Sequence, residues 1–154
     1  MKKTLFAFGI VMLISACVKT SDTPGTQNNL LTSSQAAKSN ADFLVAHTWR
    51  YNKVYANYVN NSNPGTLVYD RVAGINTYNV GKDTVKYFSN GTYVLGTKTK
   101  TKTGTWMFTD SAQTIIQQKQ GNSISSAKVK LLNKSHYNWL DFTEHVYAEM
   151  EPLP

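Results

Sequence analysis

A chain of 154 residues has room for one ordinary domain plus short extras, and is long enough to bury a core without covalent staples. Its single cysteine excludes an intrachain disulfide framework. With 16 Lys and Arg against 9 Asp and Glu the formal charge is +7, so nucleic acid and anionic membrane are the partners to weigh first.

The N-terminus has the three regions of an export signal. Lys2 and Lys3 are basic, Leu5 to Ile14 is apolar, and Ser15-Ala16 are small. The apolar run is shorter than the roughly 20 residues that a spanning helix needs. Cys17 follows at once, so Ile14-Ser15-Ala16-Cys17 resembles the lipobox of bacterial lipoproteins. The resemblance implies a signal peptide over residues 1–16, thioether lipidation of Cys17, and two or three acyl chains there. One chain holds only marginally, at about 0.8 kcal/mol per CH₂, whereas several make attachment effectively permanent. An ordinary secretory signal with a chance cysteine is the alternative. In the lipoprotein reading the protein sits on a membrane without spanning it, in the bacterial cell envelope and by expectation at the outer membrane. That address argues against nucleic acid. Without Lys2 and Lys3, 14 basic groups face 9 acidic ones, a balance that solvated surface lysines explain.

Residues 18–40 hold 13 Ser, Thr, Asn or Gln among 23 positions, with Pro24-Gly25 and no aromatic ring. Such a segment cannot bury enough to fold by itself, so residues 17–40 are expected to be a lipidated flexible tether. Leu30, Leu31 and the run Ser34 to Lys38 suggest a short helix where it meets the domain. From about residue 41 the composition changes: all three Trp and all nine Tyr lie beyond it, among many Thr and Val, which favours strands. Turn signals recur at Asn60 to Gly65, Ala73-Gly74, Gly81-Lys82, Ser89-Asn90-Gly91, Gly104, Thr109 to Gln113, Gly121-Asn122 and Asn133 to Ser135. Eight or nine short runs at this spacing predict an all-β sandwich or barrel over residues 41–154. Asn90-Gly91 between Val85–Phe88 and Thr92–Leu95 is the best hairpin signal. Thr97 to Thr103 reads as one strand with Lys98, Lys100 and Lys102 on one face, while Val129 and Leu131 share a buried face.

Taken together these runs resemble the lipocalin-like domains of lipid-anchored proteins in Gram-negative bacteria. The residues that carry the likeness are the early run Leu44 to Trp49, the hairpin Asp83 to Tyr93, and Gly104-Thr105-Trp106-Met107-Phe108. Thr114-Ile115-Ile116, Val129 to Leu132, Tyr137-Asn138-Trp139 and Tyr147 to Pro152 complete it. The resemblance implies an antiparallel barrel of about eight strands. An early Trp49 would plug one end of such a barrel, its ring filling the bottom and its N–H finding a carbonyl. His47 and Thr48 depart from the small residue and Gly that often precede this Trp.

No residue set announces a reaction. His47, His136 and His145 lack metal-ligand spacing, although His136 and His145 would be able to face each other on neighbouring late strands. A Gly-x-Ser-x-Gly elbow is absent, and Cys17 is consumed as the anchor. No catalytic residue, metal site or cofactor is therefore assigned. An eight-stranded barrel either holds one compact ligand or is filled by its own side chains. Sixteen aromatic residues in 41–154 can line a calyx, with Tyr55, Tyr69, Tyr78, Tyr87, Tyr93, Phe108 and Trp139 among the candidates. For any single ring the plainer explanation is core packing. The lysine ladder would meet an anion, or would guard an exposed strand edge by like-charge repulsion. The expected function is a non-enzymatic envelope lipoprotein binding a small, partly apolar ligand in its barrel. The alternatives are an interaction module with a filled core, docking onto an envelope protein, and a hydrolase whose site is unrecognised.

Overall fold

The β-branched and aromatic runs beyond residue 47 pair side by side as antiparallel strands. The computed structural model describes residues 38–154, so the signal peptide, Cys17 and the helix expected at Ser34 to Lys38 lie wholly or mostly outside the described residues. In chain order the elements are α1 (Asn40–Ala46), β1 (Thr48–Ala56), β2 (Thr66–Asp70), β3 (Ile75–Asn76), β4 (Thr84–Tyr87) and β5 (Thr92–Gly96). They continue with β6 (Thr101–Phe108), β7 (Ile115–Gln120), β8 (Ser123–Leu132), β9 (Tyr137–Asp141) and β10 (Val146–Pro152).

Strands β4 to β10 form a meander in which each pairs with the next. β10 then returns to β1, and Thr48, Trp49 and Arg50 of β1 pair with Lys86, Val85 and Thr84 of β4. Eight strands thus close into an antiparallel barrel, which leaves no long edge to template pairing with another chain. The far half of β1 carries the β2–β3 hairpin on the same side, with Lys53 opposite Asp70 and Ala56 opposite Thr66. The core side chains run from Leu44 to Met150, and every barrel strand is paired within residues 48–152. The described residues therefore contain what the barrel needs to fold. Among them no helix is long and apolar enough to cross a membrane.

One end of the barrel is stoppered. Of the early run Leu44 to Trp49, residues Leu44 to Ala46 belong to α1, which starts at a capping box. Ser39 accepts from the Asp42 N–H, and Asp42 accepts in return from the Ser39 N–H at 2.9 Å. Gln113, at the β6–β7 turn, holds the first turn of α1 through the Ala41 N–H and the Asn40 amide, both at 2.9 Å. Leu44 and Trp49 are fully buried, and the Trp49 indole donates to the Leu44 carbonyl at 2.9 Å, as the plug reading requires.

Four sequence expectations are corrected. The Asn90-Gly91 hairpin forms, but only Gly91 takes positive φ (+80°). Phe88 pairs with Thr92 around a three-residue loop. The Thr97–Thr103 ladder is not one strand: Thr97–Lys100 is the turn between β5 and β6, because Thr97 closes onto Lys100 through both its N–H (2.8 Å) and its hydroxyl (3.0 Å), and only Thr101–Thr103 belong to β6. Gly104, expected at a turn, lies inside β6 opposite Tyr93. Leu131 does not share Val129's buried face. A bulge between the two turns Leu131 outward, leaving it 44% exposed.

Candidate functional site

Alternation along the strands delivers one face of each to the barrel interior. β4 sends in Val85 and Tyr87, β5 Tyr93 and Leu95, and β7 Ile116 and Gln118. β9 sends in Tyr137, Trp139 and Asp141. With Tyr51 of β1, Met150 of β10 and Ser125, Ser126 and Ala127 of β8, they enclose a cavity of about 170 Å³. Leu44 and Trp49 belong to the same core cluster as much of this lining but do not line the cavity themselves.

Its deep wall is a polar chain set among rings. The Gln118 side-chain amide donates to the Tyr87 hydroxyl, which stands 3.3 Å from the Tyr137 hydroxyl. Burial pushes both phenols above their ordinary value near 10, Tyr87 well above it. Burial, with the Asp83 carboxylate adding to it, pushes Tyr51 up to about 12. These hydroxyls are neutral donors and acceptors at neutral pH. Tyr137 meets Trp49 edge-on at 5.6 Å, which ties the wall to the plug. At the other end of the lining, Asp141 Oδ1 accepts from the Thr143 and Glu144 N–H groups at 2.8 and 3.0 Å, fixing that carboxylate at the end of β9.

Of the rings singled out from sequence, Tyr87, Tyr93 and Trp139 meet in this cavity, whereas Tyr55, Tyr69, Tyr78 and Phe108 do not line it. Tyr55 fails for a definite reason. The β1–β10 register shifts between Tyr51 and Lys53, so Tyr51 and Val54 face inward and Tyr55 is turned out against Tyr147, ring centres 6.1 Å apart. Tyr69 is buried in the second core cluster with Val54, Ala56, Val68 and Ala148. Phe108 packs edge-on against Trp106 at 5.7 Å, and Tyr78 is 50% exposed in the β3–β4 connection. The sequence reading missed Tyr51, Tyr137, Gln118 and Asp141. Two of these were within reach, since Tyr137 and Asp141 flank Trp139 at the two-residue spacing of a strand face. His136 and His145 lie in the turns at opposite ends of β9, both exposed, so they do not face each other. Among the described residues no three His, Cys, Asp or Glu come together.

No protein-family model matches the chain, and neither does any curated protein. A solved structure of a DUF4847 family protein from Bacteroides vulgatus ATCC 8482 is similar, with a TM-score of 0.54 and 9% identity over 72% of this chain and 95% of that one. At that identity the likeness bears on the fold alone, and what it supports is the barrel.

Proposed function

We propose that this is a non-enzymatic lipoprotein of the bacterial cell envelope, held at the outer membrane through lipidated Cys17, whose lipocalin-like barrel binds one small, partly apolar ligand. The observation that carries this reading is the cavity of about 170 Å³, lined by ten apolar or aromatic residues and four polar ones. That volume is near the roughly 150 Å³ that accepts benzene in an engineered protein core, and below the roughly 300 Å³ at which drug-sized sites begin. The ligand is therefore one ring or one short branched group. Apolar walls take it out of water, while Gln118, Ser125 and Asp141 orient its polar part.

Two measurements test the reading. Phenol and indole should bind a chain beginning at residue 36 and be detected by native mass spectrometry. Ala127→Leu, which fills the cavity, should weaken binding at least tenfold. Equal binding by the filled variant, or none by the parent, removes the cavity from the function. For the anchor, cells fed radiolabelled palmitate should label the full chain but not Cys17→Ala. Label that persists in the variant, or is missing from the parent, ends the lipoprotein reading.

A further inference from the structure

The charge and the rings of the cavity select among small ligands. The chain carries 16 Lys and Arg, yet among the described residues no Lys, Arg or His lines the cavity, and the one acidic side chain among them that does is Asp141. Both backbone hydrogen bonds to Asp141 go to Oδ1, which leaves Oδ2 for a ligand. Among the described residues no salt bridge neutralises it.

Five rings share the lining: Tyr51, Tyr87, Tyr93, Tyr137 and Trp139. They stand as separate walls and are not stacked. Tyr51 and Trp139 meet at 63° with centres 6.4 Å apart, Tyr87 and Tyr137 at 84° and 6.0 Å, and Tyr87 and Tyr93 at 42° and 6.1 Å. The face of an aromatic ring is the negative end of its quadrupole, and inclined rings that share a cavity with a carboxylate attract an organic cation from several sides. An anion entering the same space would meet those rings and Asp141 with no cation to balance it. A trimethylated nitrogen has about the bulk of a benzene ring, which matches the room available.

We propose that the cavity is an aromatic cage for a small alkylated ammonium group, with Asp141 as its counter-charge. The inference rests on the reading of the cavity as a ligand site, and it names the class of ligand. Such a group arrives either as a free ion or as the head of a choline lipid.

The test compares near-isosteric probes of different charge on the chain beginning at residue 36, followed by isothermal titration and by Trp fluorescence. Choline and tetramethylammonium should bind at least tenfold more tightly than 3,3-dimethyl-1-butanol, the neutral carbon counterpart of choline, and butyrate should bind least. Asp141→Asn keeps the acceptor that holds the β9–β10 turn. It should weaken choline at least fivefold and leave the neutral alcohol unchanged. Equal affinity for choline and the alcohol, or tighter binding of butyrate, overturns the ammonium inference and leaves the cavity reading standing. No binding of any probe, phenol and indole included, overturns both. Sedimentation with phosphatidylcholine vesicles that free choline competes away assigns the group to a lipid head. Choline binding without such sedimentation assigns it to a free ion. Both outcomes support the cage.

Discussion

Tyr93 reaches the cavity wall because the residue opposite it is Gly104. A methyl group at Gly104 would stand 2.3 Å from the Lys119 carbonyl oxygen and 2.6 Å from the Tyr93 ring, so glycine is needed here for space and not for its backbone freedom. The phenol lies where that side chain would be, and covers backbone that a bare glycine leaves open. Gly104→Ala should therefore destabilise the barrel by about 1–3 kcal/mol, since a buried ring and a strand backbone both have to shift. Gly74→Ala makes the useful contrast. Its φ is +75° but nothing lies within 4 Å of the added atom, so only the backbone penalty applies, about 1 kcal/mol. Urea unfolding of both variants measures the difference. A Gly104→Ala protein as stable as the parent would mean that the strands have slack at the site, and the close fit of Tyr93 would have to be abandoned.

At the scale of elements, a strand or turn was legible where local chemistry and fold agreed. Asn90-Gly91, Ala73-Gly74 and Gly121-Asn122 are turns because their glycines take the positive φ that other residues resist. Trp49 was readable as a plug because a large ring with one N–H fits few other places. What the sequence hid was chosen by long-range pairing. Thr97–Lys100 alternates like a strand, and it turns because Thr97 closes on Lys100, a bond no composition rule announces. The turn at Phe142–His145 is likewise made by one carboxylate, Asp141. Seven residues are too few for α1 to show a helical period, although Ser39 and Asp42 stood at capping-box spacing. The candidate site was half-legible for the same reason. Alternation finds Tyr87, Tyr93 and Trp139, but a single bulge in β1 splits Tyr51 and Tyr55, which a regular strand would put on one face, so that only Tyr51 points inward, and bulges leave no mark in composition.

The closed barrel as a whole places three phenols where the ionised form has little water, and this makes its stability depend on alkaline pH. Tyr51 is pushed up to about 12, and Tyr87 and Tyr137 also titrate above their ordinary value near 10, burial being the first cause in each. The sign follows from proton binding. Below about pH 10 both the folded and unfolded chains keep these protons, and the three groups add no pH dependence. Above it the unfolded chain releases protons that the folded one retains, so stability falls as pH rises toward the raised values. Each group contributes a slope of at most about 1.4 kcal/mol per pH unit inside that window. Denaturant titrations from pH 8 to pH 12 should accordingly be level at first and then decline, the loss for Tyr51 being nearly complete around pH 12. Tyr87→Phe should be less stable at pH 8, because it leaves Gln118 and Tyr137 without their shared partner, a cost of about 1–3 kcal/mol. It should also lose stability less steeply above pH 10. A parent whose unfolding free energy stays level to pH 12 would show that water reaches these hydroxyls, and a cavity that wet would hold a cation by solvation instead of by its rings.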